Sequence, residues 1–314
     1  MQIDSQWMIP LAAASGISFS LMAISYRLGA PKRVTPSHIL LVACIMGMAA
    51  FGAQSLGQWT QLPLRVVLLA TAAGISQFVL LRLMHWGLKH GPLSPMWCAL
   101  MLGFIPVILY SAVFLGEALS VKHYFAVAAA TGSVLSAAFA DTIVQALSRR
   151  PAPAEIPHAE RHLHRNLRQS LLYASLLIAI LVTNAVASIV VKVLSTAAPN
   201  TPSDMERFRY CYLFMLYLFI EIGIIVELAT SRTSGAPIRQ VLALGSLAGV
   251  GTVLGMITLT IYSAGPAAKL FPVSGVSSIV ATSVGSVLLF REKMTLGWLL
   301  SVGLGVATII IANL

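Results

Sequence analysis

Charged residues are scarce in this chain. Only 10% of its 314 residues are Asp, Glu, Lys or Arg, whereas 58% are hydrophobic, and the mean hydropathy is +0.87. Soluble domains carry roughly 25% charged residues, so this composition excludes a water-soluble globule and predicts an integral membrane protein. The charge-free runs approach or exceed the ~20 residues that a membrane-spanning helix needs. They cover 5–26, 34–64, 66–81, 90–116, 123–140, 169–191, 240–268, 270–290 and 294–314.

Motifs of soluble enzymes and of ATP-driven pumps are also missing. The chain has no HExxH, GxSxG or CxxC sequence and no GxxxxGK[ST] phosphate-binding loop. We therefore expect no catalytic residue, no metal and no cofactor. Three cysteines without paired spacing fall in apolar runs and are predicted to be packing residues: Cys44, Cys98 and Cys211.

Ten membrane-spanning helices are predicted, because the short alternating segments of a membrane β-barrel are absent. Their approximate bounds are 7–27, 37–57, 65–87, 93–115, 121–146, 170–193, 207–229, 239–262, 267–290 and 294–313. The first has no Lys or Arg before it and is not expected to be a removable signal peptide. A polar, basic linker at 148–169, with five Arg and three Pro, separates a first set of five helices (1–147) from a second (170–314).

The two sets share a motif. Glu117 and Glu292 each end an apolar segment, and a further apolar helix follows each of them. A Gly-Pro pair precedes the matching helix in both sets: Gly91, Pro92, Gly265 and Pro266. We interpret this as a duplicated unit, and because each copy has an odd number of helices, the second must enter the membrane upside down. Both glutamates are predicted to cap or orient the helix that follows them, since a negative charge is favourable at a helix N-terminus.

These residues resemble the drug/metabolite transporter superfamily, in its ten-helix EamA-like branch. The resemblance is carried by FLGEALS at 114–120, LFREKMT at 289–295, the two Gly-Pro pairs and Pro106. This sequence departs from the family pattern at Arg291, where Gly is usual, and in its long basic linker. The resemblance implies a transporter of small organic metabolites, and the family includes carriers of amino acids, drugs, sugars, nucleotide sugars and phosphorylated compounds.

Basic residues distinguish the two sides of the predicted membrane. Fourteen Lys and Arg fall on the side of the linker and six on the other, which by the positive-inside rule places both termini outside. The family resemblance implies the opposite orientation, in the inner membrane of a bacterium. The formal charge of +10 predicts no nucleic-acid partner, because these residues lie at helix ends, where anionic lipid headgroups account for them.

Seven residues at predicted membrane depth are candidates for the substrate path, because polar groups there are costly without a role. They are Tyr26, Gln77, Trp97, Asn184, Tyr217, Glu221 and Ser278. Glu221, one helical turn from Tyr217, could hold a cationic or amphipathic substrate or carry a proton; alternatively, it lies at the membrane interface.

The other candidates have alternatives too. Trp97 could line a pocket or belong to an aromatic belt. Asn184 could face a pocket or bridge two helices, and Ser278 could line a hydrated path or join helices. Lys192 is expected to extend its amine to the membrane surface.

The sequence thus predicts a secondary transporter whose two inverted halves alternate access to a site near the membrane midplane. Its partners would be a small organic substrate, such as an amino acid or an amphipathic or drug-like compound, and the lipid bilayer. Energy would come from a proton gradient or from exchange, since no nucleotide site is present. The alternatives are a flippase for lipids or lipid-linked sugars on the same scaffold and an intramembrane lipid-modifying enzyme.

Overall fold

Long helices make up nearly all of the protein that the structure, a computed structural model, describes: residues 5–29, 34–87, 93–148, 159–196, 202–230, 236–290 and 296–313. The helices are α1 (Ser5–Gly29), α2 (Pro36–Ser55), α3 (Leu64–Gly87), α4 (Leu93–Met101), α5 (Phe104–Phe114), α6 (Val121–Ser148), α7 (Ala159–Ser195), α8 (Asp204–Thr230), α9 (Ile238–Tyr262), α10 (Ala267–Phe290) and α11 (Leu296–Asn313). A short 3₁₀ turn lies at Trp59–Gln61, and no strand occurs within these ranges.

Seven stretches of these helices are long and apolar enough to cross a membrane. They are Gln6–Gly29, Pro36–Ser55, Leu64–Gly87, Ser175–Ser195, Asp204–Thr230, Ile238–Tyr262 and Ala267–Leu289. Shorter apolar helical stretches occur at Ala99–Phe114 and Val302–Ile311. The prediction of an all-α membrane protein is confirmed.

Two predicted spans differ in the structure. The fourth, 93–115, is divided between α4 and α5. The sixth, expected to begin at 170, belongs to α7, which begins at Ala159 and so includes the end of the predicted linker. Residues 149–158 of that linker lie outside the described part of the chain, as do Gly91, Pro92 and Glu292.

The break between α4 and α5 has a local cause. Pro106 has no backbone N–H and cannot bond the Leu102 carbonyl in the α-helical manner. The Ile105 N–H donates to that carbonyl instead, at 3.0 Å, and the Gly103 N–H donates to the Leu100 carbonyl at 3.1 Å. The chain therefore makes a tighter turn at Leu102–Gly103 and then resumes the helix.

The helices pack in a regular pattern. α1 lies against α9 and α10, whereas α7 lies against α3, α4 and α5. α2 packs on α8 and α9, α3 packs on α8, and α6 packs on α11. In this arrangement α1 to α5 and α7 to α10 form one group, and α6 and α11 pair beside it, contacting mainly α4 and α10.

Small residues permit the closest of these contacts. A Cβ on Gly251 of α9 would lie 2.5 Å from the Ser18 carbonyl oxygen of α1. A Cβ on Gly16 of α1 would overlap the Ser274 carbonyl oxygen of α10. Backbones approach this closely in membrane proteins through glycine, because packing and polar contacts, not the hydrophobic effect, join helices in lipid.

Candidate functional site

A central cavity of about 200 Å³ lies among nine helices. Its described lining comes from α1 to α5 and α7 to α10, and α6 and α11 contribute nothing to it. One water needs only roughly 10–15 Å³ of such space, so the central cavity can hold a molecule of many atoms. A cleft between transmembrane helices, at the junction of the two helix sets, is the usual place for a transporter's ligand.

The described lining of the central cavity is aromatic, aliphatic and uncharged. Seven aromatic and four methionine side chains face it: Phe19, Trp97, Phe104, Tyr212, Tyr217, Tyr262, Phe271, Met22, Met84, Met101 and Met256. Polar groups are few: Cys44, Gln77, Asn184, Ser188, Thr252, Ser274 and Ser278. No Asp, Glu, Lys or Arg occurs among these described lining residues.

Four residues of the cavity lining each carry a buried polar atom that lacks a hydrogen-bond partner among the described residues. The atoms are Trp97 Nε1, Tyr212 Oη, Tyr217 Oη and Ser278 Oγ. Each side chain is at least 92% buried. The Tyr217 hydroxyl approaches Thr252 without hydrogen-bond geometry, and Thr252 donates to the Gly249 carbonyl at 3.2 Å. A buried polar group left unpaired costs about 1–3 kcal/mol, so this set favours an occupant that pairs with it.

Asn184 joins the wall of the central cavity to the break in the fourth span. Its Nδ2 donates to the Leu100 carbonyl at 2.7 Å. Gly103 permits this contact, because a Cβ there would lie 2.7 Å from that same nitrogen. Asn184 therefore both lines the cavity and bridges two helices, which the sequence posed as alternatives.

Five of the seven predicted path residues come together in the lining of the central cavity: Gln77, Trp97, Asn184, Tyr217 and Ser278. Tyr26 and Glu221 are not among the described lining residues. Contact of any of the seven with a substrate stays a prediction.

Glu221 and Tyr26 both lie within electrostatic range of Cys44, a residue of the cavity lining. Glu221 is only 4% exposed, so it is buried among the helices, and its depth in the membrane stays a prediction. Glu221 Oε2 and Tyr26 Oη have no hydrogen-bond partner among the described residues. The thiol of Cys44 interacts electrostatically with both, and Cys44 belongs to the cavity lining.

Glu117 and Lys192 form a buried ion pair, which the sequence did not predict. Lys192 Nζ lies 2.5 Å from Glu117 Oε1 and donates to the Gly265 carbonyl at 2.6 Å. The N–H of Ala267, at the start of α10, donates to Glu117 Oε2 at 2.8 Å. Glu117 thus caps a helix 150 residues away, and its predicted cap on the following helix is wrong. Lys192 is 3% exposed, so the expectation that it reaches the membrane surface is also wrong.

Several lining residues were not singled out by sequence analysis. Cys44 was assigned to packing, and no residue of α2 was placed at the site. Tyr262 and Phe271 come from the two sides of the Gly265-Pro266 turn and make an edge-to-face pair with ring centroids 5.7 Å apart. An aromatic residue on each side of this Gly-Pro pair was visible in the sequence, but single aromatics in apolar helices more often pack against lipid or neighbouring helices.

Comparison with known proteins identifies the fold and nothing more specific. No family model and no curated protein matches the chain. A solved structure described only as "Crystal structure of protein" is similar over 99% of this chain and 97% of its own, with a TM-score of 0.68 and 13% sequence identity. The fold thus exists in an experimentally determined protein, and a likeness at this identity carries no information about ligands.

Proposed function

We propose that the protein is a secondary transporter of small organic metabolites that works by alternating access. The observation that carries the proposal is the central cavity, which is lined by residues of nine helices; four of these residues carry a buried polar atom without a partner among the described residues. A merely structural bundle has no reason to retain such a cavity, because voids and unpaired polar groups both destabilise a fold.

The packing pattern supports two inverted five-helix halves, with the fourth span counted as α4 plus α5. Under that assignment α1 corresponds to α7, α2 to α8, α3 to α9, α4–α5 to α10, and α6 to α11. The contacts of α1 with α9 and α10 then match those of α7 with α3 and α4–α5. The pairs α2–α8 and α6–α11 map onto themselves, as a two-fold relation requires.

Membership in the EamA-like branch of the drug/metabolite transporter superfamily is part of the proposal. It rests on the motif pairs in the sequence and on the contact of Glu117 with the start of the helix after Gly265-Pro266. In this scheme the two halves rock about the central cavity, which opens to one side of a plasma membrane and then to the other. A proton gradient or exchange of solutes drives the cycle.

The proposal is tested by ligand discovery followed by uptake. Purified protein is screened against metabolites by thermal shift, since a ligand that binds only the folded state raises the melting temperature. The strongest ligand is then radiolabelled and offered to proteoliposomes. We expect saturable uptake that unlabelled ligand on the opposite side accelerates, and Ser278→Val to weaken it. Val113→Ala, at a 72% exposed position on α5, is the control.

Lipid movement is the contrasting outcome. A flippase would transfer a fluorescent phospholipid between leaflets of the same vesicles at a rate that depends on the protein. If lipid moves and no soluble metabolite is taken up, the metabolite proposal fails and the flippase takes its place.

A further inference from the structure

We infer that the substrate of the central cavity carries no formal charge and presents hydrogen-bond acceptors from a largely apolar, planar body. This inference rests on the proposed function and narrows its substrate class. It excludes phosphorylated compounds, nucleotides and zwitterionic amino acids, although the family resemblance allows all of them.

The absence of charged residues from the described lining indicates that the substrate carries no formal charge. A charged group moved from water into such a site costs several kcal/mol unless an opposite charge or several hydrogen bonds compensate it. No residue of the described lining is ionic. A phosphate or carboxylate would therefore find only hydroxyl, amide and indole groups.

The cation that follows the lining residues of α7 is already paired within the protein. Ser188 and Val191 of α7 line the central cavity, and Lys192 follows directly. Its ammonium, however, is held by Glu117 and by the carbonyls of Ser263 and Gly265. Three partners satisfy all three donors of a lysine, so this amine is not available to an anionic ligand.

The unpaired polar groups indicate that the substrate presents hydrogen-bond acceptors. Trp97 lines the central cavity, and its buried Nε1 is a donor only and lacks a partner among the described residues, so we expect an acceptor on the ligand to pair with it. The hydroxyls of Tyr212, Tyr217 and Ser278 are further unpaired groups that can donate. Aromatic and methionine side chains around them suit a flat apolar surface.

Among the described residues, Glu221 is an acidic group that could supply a counter-charge to a bound cation. It interacts electrostatically with Cys44 and is not among the described lining residues. If it served as the counter-charge for a substrate, a cation would bind best, and one arm of the experiment measures this directly.

The experiment compares four probes that share a naphthalene ring and differ in charge. They are 2-naphthamide, which is neutral, 2-naphthoate, 2-naphthylmethylammonium and the zwitterion 3-(2-naphthyl)alanine. Binding to detergent-solubilised full-length protein is measured at pH 7 by isothermal calorimetry and thermal shift. We expect 2-naphthamide to bind at least tenfold more tightly than each charged probe.

Two variants test whether the Trp97 indole N–H donates a hydrogen bond to the ligand. Trp97→Phe keeps the aromatic ring and removes the N–H, and should weaken 2-naphthamide about tenfold, the effect of one lost hydrogen bond. Trp7→Phe, at a 58% exposed position on α1, should leave binding unchanged. Thermal unfolding without probe shows whether Trp97→Phe is folded, and an unfolded variant is replaced by Tyr217→Phe, with the same expectation.

Equal or tighter binding of any charged probe, or binding of none of the four, overturns the inference. Neither result depends on transport. If the neutral probe binds as expected but no metabolite is taken up by proteoliposomes, the proposed function fails and the ligand class stands.

Discussion

At the scale of single residues, removal of the unpaired Tyr212 hydroxyl is expected to raise the stability of the empty protein and to weaken ligand binding. Tyr212 is 1% exposed and its Oη has no partner among the described residues. Tyr212→Phe should therefore stabilise the empty protein by about 1 kcal/mol, because an unsatisfied buried group is removed. It should also weaken 2-naphthamide several-fold. Thermal unfolding with and without the probe measures both effects.

The control for that variant is Tyr124→Phe, at a 61% exposed position on α6, which should change neither quantity. A loss of stability in Tyr212→Phe would mean that the hydroxyl has a partner in the empty protein, and this would contradict the account of the site.

Glu221 is the residue on which energy coupling is expected to depend. A buried carboxylate without a pairing partner among the described residues is a costly feature to keep in a membrane protein unless it has a function. Glu221→Gln should reduce concentrative uptake of the screened metabolite at least tenfold and change its binding less than twofold. Glu206→Gln, at an exposed position on the same helix, should change neither. Full uptake by Glu221→Gln would remove this residue from the mechanism.

At the scale of helices, seven of the predicted spans coincide with helical stretches long and apolar enough to cross a membrane, whereas the break inside the fourth span was not predicted. Apolar length alone locates the spans, but it does not predict the contact that the turn at Leu102–Gly103 receives from the Asn184 amide of α7, more than 80 residues away. Pro106 signalled a disturbance without giving its position. The cap that Glu117 places on α10 was invisible for the same reason, because its partner Ala267 lies 150 residues along the chain.

Adding one methyl group at the break in the fourth span should lower the stability of the protein. In Gly103→Ala the new Cβ would lie 2.7 Å from Asn184 Nδ2 and 3.0 Å from the Leu100 carbonyl oxygen. We expect a loss of about 1–3 kcal/mol in stability from this overpacking, measured by thermal unfolding. The backbone at Gly103, with φ −54° and ψ −13°, suits any residue, so contact and not backbone strain is the cause.

Two comparisons isolate that contact. Asn184→Ala added to Gly103→Ala should recover part of the loss. Gly303→Ala on α11, where nothing lies within 4 Å of the new Cβ, should be neutral or stabilise by about 0.5–1 kcal/mol. Equal losses at both glycines would show that the Asn184 contact is unimportant.

The ion pair between Glu117 and Lys192 should stabilise the junction of α9 with α10. Lys192→Met leaves Glu117 without its cation, and loss of one partner of a buried pair costs about 3–5 kcal/mol. The 24% exposure of the Glu117 side chain places the expected loss near the lower limit. Adding Glu117→Gln should recover part of it, and a double-mutant cycle on melting temperatures measures the coupling.

The exposed pair of Arg65 with Asp204, at 3.9 Å, is the matched control. Arg65→Gln should cost less than about 1 kcal/mol, as surface pairs do. Additive losses from Lys192→Met and Glu117→Gln would contradict a direct role for the buried pair.

At the scale of the whole molecule, the site could be predicted in part. Polarity at membrane depth selected Gln77, Asn184 and Ser278, which all line the central cavity. The same rule selected Glu221, which is not among the described lining residues. Polarity indicates that a residue has a role. The direction in which the residue faces depends on how its helix is rotated about its axis. These helices are only weakly amphipathic, so their sequences do not predict that rotation.

Cys44 lines the cavity but could not be predicted to do so, because a small residue in an apolar run gives no signal of its position. It is 1% exposed and belongs to the lining of the central cavity. It is therefore also a native chemical probe of that cavity, provided that the other two cysteines are replaced.

The central claim, that the cavity opens to each side of the membrane in turn, is tested most directly by labelling Cys44. Cys98→Ala/Cys211→Ala protein is reconstituted, and a membrane-impermeant thiol reagent is added to the outside or trapped inside in separate experiments. The account predicts modification of Cys44 from both sides and protection from both by the screened metabolite. Modification from one side only, with none from the other under any gradient, would contradict it.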